Sequence, residues 1–365
     1  MTKREPIPPF RYMVWAKRQQ AHAAINLAAS CLAPPDPGWL TLGAGDLDLA
    51  QRGYDMPPEA RQRLADRFGV EVDRLMLTLG SSHGMYLLCA SSLRPGDLCL
   101  VERPAYELLP GLPGLFGAEV ERFERTMGSG YRLPADLPAR IAAERPRLVL
   151  MTNPHNPSGA LLSTAELAPI AEAVAAVGGR LVVDEVYLEC LPDAPLQSAH
   201  RLGPAVAVAS SFTKAFGLGT VRFGWVVAAP EPIEEAIRYN DYISVLYPNP
   251  CAWVGLRALD QLGALQARAA EVRRRNLPIL EQWVADHPEV SWHPPEAGVI
   301  AFPRVTDRGD VSALCDQLLR DHDTLVVPGS FFGAPGHIRI GFGMAAGELR
   351  EGLSHLSRVL TAARG

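Results

Sequence analysis

Four short apolar runs, DLCLVE (97–102), RLVLMTN (147–153), GRLVVDEVY (179–187) and AVAVASS (205–211), recur along one stretch of the chain, and each ends in polar residues. Segments of helical character separate them. Parallel strands cannot be joined by tight turns, so this alternation points to an α/β layer architecture: a mostly parallel sheet covered by helices. The segment STAELAPIAEAVAAVGG (163–179) reads as a crossover helix, with Ser163 or Thr164 as N-cap and Gly178 and Gly179 as C-cap candidates. After about residue 250 the pattern changes to long helix, with Pro278 placed to kink or break it. A strand, GVIAFPRV (298–305), and two amphipathic segments near 310–320 and 346–363 follow.

In open parallel sheets the chemistry gathers where the strands end. Asn153 and Asn156 follow one strand, Asp184 and Tyr187 close the next, and Ser211 and Lys214 close the third. Lys214 is one of three lysines among 35 basic residues; the others are Lys3 and Lys17, in a polar N-terminal segment. A chain so biased toward arginine has little need of lysine for ion pairing alone. A primary amine can lose its proton and attack a carbonyl carbon, whereas a guanidinium stays protonated. A structural ion pair is the plain alternative. The loop LTLGSSHG sets Gly80, Ser81 and Ser82 at a helix N-terminus, where amides and hydroxyls can cradle a phosphate. Tyr106 offers an aromatic face to a flat ring.

The remaining composition excludes more than it selects. A length of 365 residues predicts about two domains, and 48% hydrophobic with 21% charged residues suits a globular protein with a sizeable core. A formal charge of -5 leaves no basic footprint for nucleic acid. The six cysteines lack CxxC spacing, so buried free thiols are expected and metal ligation is not. With no apolar signal core and no run of about 18 apolar residues, the expected setting is cytoplasmic, away from membranes.

NPHNPSG, DEVY and SSFTKAFGLGTVRFG together resemble the class I/II aminotransferases, the fold-type-I enzymes that depend on pyridoxal 5′-phosphate (PLP). The likeness runs from LTLGAGD at 41 to HIRIGFG at 337. It implies that Lys214 holds PLP as a Schiff base and carries the proton, and that Asp184 pairs with the pyridine nitrogen. Asn156 and Tyr187 would bond the 3′-oxygen, and Tyr106 would stack on the ring. Ser211, Arg222, Ser81 and Ser82 would take the phosphate. Arg339 matches the arginine for the substrate α-carboxylate, with Gly45 as a backbone contact nearby. Tyr54 is the candidate to reach a neighbouring subunit's phosphate.

The resemblance further implies a homodimer acting on an amino acid and a 2-oxo acid. The large PLP-binding domain is expected at about 46–250, and the small α/β domain combines 1–45 with 251–365. Tyr247 or Asn249 is placed to reach across the dimer. Between Asp46 and Glu71 the chain is shorter than many members and nearer the compact histidinol-phosphate aminotransferases. The C-terminal third is also similar to capreomycidine synthase, which cyclises a hydroxylated arginine, so a PLP-dependent lyase or cyclase is the alternative reaction. A ligand sensor without turnover is disfavoured, because Asp184, Lys214 and Arg222 are all present.

Overall fold

The computed structural model describes residues 7–20, 23–39, 56–306 and 308–362. Its centre is a seven-stranded sheet: β1 (Leu75–Leu79), β2 (Leu98–Arg103), β3 (Glu119–Glu124), β4 (Leu148–Thr152), β5 (Arg180–Asp184), β6 (Val206–Ser211) and β7 (Phe223–Val227). The spatial order is β1-β7-β6-β5-β4-β2-β3, and β7 alone runs antiparallel to its neighbours. The four expected strands are present within a residue or two. Three others were not marked as strands in the sequence: β1 and β7, which are apolar and buried, and β3, which is charged. β3 reads EVERFE, with its three glutamates exposed, Val120 and Arg122 half-buried and Phe123 buried, as an edge strand defended by charge does. The inner strands β4 to β7 are buried at nearly every position, because helices cover both faces.

The expected crossover helix spans Thr164–Ala176 with a complete capping box: Ser163 accepts from the Glu166 amide, and the Glu166 carboxylate accepts from Ser163 N–H. In the C-terminal part the helical stretch breaks at Gln261, between Asn249–Asp260 and Leu262–Ala285, and runs unbroken through Pro278. Pro278 is solvent-exposed, so water can serve the carbonyl that lost its intrahelical donor. The inward face is fixed by Asn276, whose amide donates to the carbonyls of Phe342 and Met344 at 2.8 Å. The expected strand 298–305 divides into Ile300–Ala301 and Arg304–Val305, which pair in different sheets on either side of Pro303.

A three-stranded antiparallel sheet (Ile300–Ala301, Ile338–Gly341, Val327–Pro328) and the helices Leu262–Ala285, Ser312–His322 and Ala346–Ala362 share a second core. Ala252, Ala258 and Leu265 belong to the core of the large sheet, whereas Ala269, Val272 and Leu280 belong to the second. The helix Leu262–Ala285 therefore bridges the two.

Candidate active site

Strand register explains why the polar residues meet. Thr152, Asp184 and Ala209 lie opposite one another across β4, β5 and β6, so the loops leaving all three strands open onto one space. A cavity of about 330 Å³ lies there. Ser81, Ser82, Tyr106, Asn156, Asp184, Ser211, Lys214, Arg222 and Arg339 all line it. Tyr187 is fully buried and is not among the residues that line it. Gly45 and Tyr54 lie outside the described residues.

The anion end is built from the turn between β1 and the helix Ser81–Ser92. Gly80 has φ +86°, and a β-carbon on it would stand 2.5 Å from Arg222 Nη2. Only glycine lets this backbone lie against the guanidinium. Arg222 has φ +57°, a left-handed conformation uncommon for a side-chain-bearing residue, and donates to the carbonyls of Leu79 at 2.6 Å and Gly219 at 3.2 Å. Helix N-terminus, serine hydroxyls and guanidinium thus converge.

Asp184 is buried, and burial lifts its carboxyl to about 7 despite the Val186 amide, the Ser81 hydroxyl and the Lys214 amine, which all favour the anion. A carboxylate so placed is suited to a cationic heterocycle. Asn153 and Asn156 have separate roles. Asn153 holds its own loop closed by exchanging hydrogen bonds with the Leu162 backbone at 2.8 and 2.9 Å. Asn156 Oδ1 and Tyr187 Oη are buried without a geometrically sound partner among the described residues. Two orphaned polar atoms beside Asp184 and Lys214 fit a phenolic ring substituent, so the donor set suits PLP.

Sequence reading missed the N-terminal contribution. The helix Arg11–Gln19 lies over the cavity and lines it with Tyr12, Met13 and Ala16. It is anchored by Glu107, whose carboxylate accepts from the amides of Arg11 at 3.1 Å and Tyr12 at 2.6 Å, capping the helix from another element. Tyr12 Oη accepts from Arg339 Nη2 at 2.9 Å, and Arg339 lies 5.5 Å from the Tyr12 ring and 5.1 Å from the Phe332 ring. Tyr106 Oη donates to Met13 Sδ at 3.6 Å. Ser30 accepts from Lys214 Nζ at 2.8 Å. A short, irregular segment gave no periodic signal by which Ser30 could have been found. Tyr247, placed at a subunit boundary by sequence, is buried and donates to the Arg222 carbonyl of its own chain at 3.1 Å.

Residues 45–356 match the family described as aminotransferase class I and II. The chain belongs to that family. It is a fold-type-I, PLP-dependent enzyme of the aminotransferase kind. This aminotransferase is 34% identical to capreomycidine synthase from Streptomyces vinaceus over 80% of its own length and 76% of the relative's. It is 31% identical to arginine–pyruvate transaminase AruH from Pseudomonas aeruginosa over 80% of its length and 77% of the relative's. A solved PLP-dependent cyclase, OrfR, superposes with a TM-score of 0.87 at 30% identity, covering 99% of each chain. Among the described residues no group of side chains could hold a metal ion, and no helix is long and apolar enough to cross a membrane.

Proposed function

We propose that this aminotransferase moves an amino group between an α-amino acid and a 2-oxo acid, with Lys214 as the residue that binds the cofactor and carries the proton. The observation that supports this is the convergence of Lys214, Asp184, Arg222 and Arg339, from separate segments, on one cavity. Arg222, Ser211, Ser81 and Ser82 would hold the phosphate, and Asp184 the ring nitrogen. Asn156 and Tyr187 would hold the phenolic oxygen, with Tyr106 near the ring face. When bound, PLP supplies an electron-accepting ring for the α-carbon. Arg339 clamps the substrate carboxylate through its planar fork. Lys214 Nζ takes and returns the α-proton from one side of the substrate. The N-terminal helix excludes water above it.

The large domain is assigned to about 46–250 and the small one to 1–45 and 251–365, with the helix Leu262–Ala285 as the physical link between the two cores. A homodimer agrees with the exposed apolar side chains of Tyr242, Ile243 and Val245, which precede Tyr247 beneath Arg222. The six thiols are free, as a reducing, cytoplasmic setting would keep them.

Purified protein loaded with PLP and screened with amino acids tests the reading. A substrate should bleach the cofactor's colour, and a 2-oxo acid should restore it. A cyclase acting on a guanidino amino acid is the second reading, favoured by the likeness to capreomycidine synthase and OrfR. It would convert its substrate with nitrogen count unchanged and without consuming a 2-oxo acid. Turnover of that kind, with no bleaching by any amino acid, would replace the first reading by the second.

A further inference from the structure

Two glycine-bearing motifs of this chain, SFTKAFG and HIRIGFG, grip one short segment. A β-carbon on Gly341 would lie 1.8 Å from the Ala29 carbonyl oxygen, and one on Gly343 would lie 2.5 Å from the Cys31 oxygen. One on Gly217 would lie 2.4 Å from the Ala33 oxygen and 2.6 Å from that of Leu32. Contacts this close admit only glycine. Hydrogen bonds fasten the same segment: Gly341 N donates to Leu27 O at 2.7 Å, Ala33 N to Gly343 O at 2.8 Å, and Leu32 N to the Lys214 carbonyl at 3.1 Å. Residues 27–33 are therefore held as firmly as a sheet strand, although only Ile25–Asn26 ahead of them is strand.

The segment delivers one polar side chain to the cavity beside Lys214. Ser30 is buried, and its Oγ accepts from Lys214 Nζ at 2.8 Å. The Lys214 backbone is tied to Leu32 two residues on, so amine and hydroxyl share one rigid frame. The other titratable groups lining this space are Tyr12, Cys31, Tyr106, Asp184, Arg222 and Arg339.

We infer that Ser30 is a positioning residue for the reaction: its hydroxyl receives the Lys214 amine and fixes where that nitrogen points. This rests on the proposed role of Lys214. A lysine side chain has four rotatable bonds, and a freed amine that wanders loses the alignment on which proton transfer depends. An N–H given to Ser30 pins the nitrogen on the protein side and turns its remaining valences toward the cavity.

The test uses the PLP-loaded protein and the variants Ser30→Ala, Ser30→Cys and Ser30→Thr. Borohydride reduction and peptide mapping first establish that Lys214 carries the label. A label elsewhere overturns the assignment of Lys214 itself. With the label in place, Ser30→Ala should bind cofactor yet shift the pH midpoint of its absorbance change by about half a unit or more. Its kcat should fall about tenfold with KM little changed, the loss of roughly one hydrogen bond. Ser30→Cys keeps the side-chain volume with a poor acceptor and should match Ser30→Ala, which covers a failure of the alanine variant to fold. Ser30→Thr keeps the hydroxyl and should restore both readouts. A wild-type midpoint and kcat in the alanine or cysteine variant would overturn the inference, as would a threonine variant no better than either.

Discussion

Gly80 and Arg222 meet so closely that a β-carbon on the glycine would stand 2.5 Å from the guanidinium, and one on Gly224 would stand 2.6 Å from the Gly80 α-carbon. Backbone and cation are thereby locked at the N-terminus of the helix Ser81–Ser92. Gly80→Ala has to move Arg222 and also adopt φ +86°, at a cost of roughly 1–2 kcal/mol for the backbone alone. PLP affinity should fall about 10- to 100-fold in a spectrophotometric titration. Unchanged affinity would mean that Arg222 does not hold the phosphate.

Asp184 gives a prediction in pH. Burial raises its carboxyl to about 7 in the folded protein, from an ordinary value of 3.8. Between these values the folded state holds a proton that the unfolded state has released, so the group's contribution to stability declines as pH rises from about 4 through 7. Replacing it with a neutral isostere removes that penalty. Cofactor-stripped Asp184→Asn should gain on the order of 1–4 kcal/mol over wild type in urea melts at pH 8, and nothing at pH 4. If Asp184 is the counter-ion of the ring nitrogen, as proposed, the variant with PLP bound should instead lose about 10²- to 10³-fold in turnover. A variant that is no more stable at pH 8 and fully active would remove Asp184 from the site.

The sheet was legible because its inner strands are buried on both faces and therefore read as apolar runs. β3 escaped because an edge strand carries charge, and the continuation of Leu262–Ala285 past Pro278 escaped because exposure and a docked Asn276 outweigh a missing donor. In the site, Asp184, Asn156, Ser211 and Lys214 follow directly from strand ends and adjoining turns, and Arg222 follows from the family resemblance. Ser30 and Tyr12 do not. Ser30 lies 184 residues from Lys214, and Tyr12 lies 327 from Arg339, so each depends on how the N-terminal segment threads between the two cores. The place of Ser30 is recorded indirectly, in Gly217, Gly341 and Gly343, where the backbone of residues 29–33 approaches closely.

Beneath the Asn156 loop lies an ion pair with both side chains wholly buried, Glu102 and Arg125 at 2.6 Å. Glu102 also accepts from the Thr152 amide at 2.7 Å and hydroxyl at 2.6 Å, and Thr152 Oγ1 accepts from the Asn156 amide at 2.9 Å. Arg125→Met leaves the Glu102 charge unpaired and should cost about 3–5 kcal/mol in chemical denaturation. Adding Glu102→Leu should recover much of that stability, since the charge goes with its partner. The double variant should still lose activity, because Thr152 no longer has the acceptor that orients it toward Asn156. Full activity there would show that the loop holds its shape without the carboxylate.

Arg339 is held ready rather than left to find its partner. Its Nη2 donates to both Tyr12 Oη and the Ala28 carbonyl at 2.9 Å, and its plane lies near the Tyr12 and Phe332 rings. Its Nε, although buried, has no hydrogen-bond partner among the described residues and remains available to a carboxylate. Arg339→Lys keeps the charge but not the planar fork, so kcat/KM should fall at least about tenfold, with PLP binding intact because the phosphate is held elsewhere. Arg339→Ala should lose more. Tyr12→Phe keeps the ring over the guanidinium and removes only the hydroxyl that Arg339 bonds. If Tyr12 serves to aim Arg339 at the substrate carboxylate, KM should rise about 3- to 10-fold while kcat stays within about twofold, the pattern of lost binding that is equal in ground and transition states. A fall in kcat at constant KM would instead assign Tyr12 to the chemical step. Unchanged kinetics in both Tyr12→Phe and Arg339→Lys would mean that the α-carboxylate is bound by another part of the cavity.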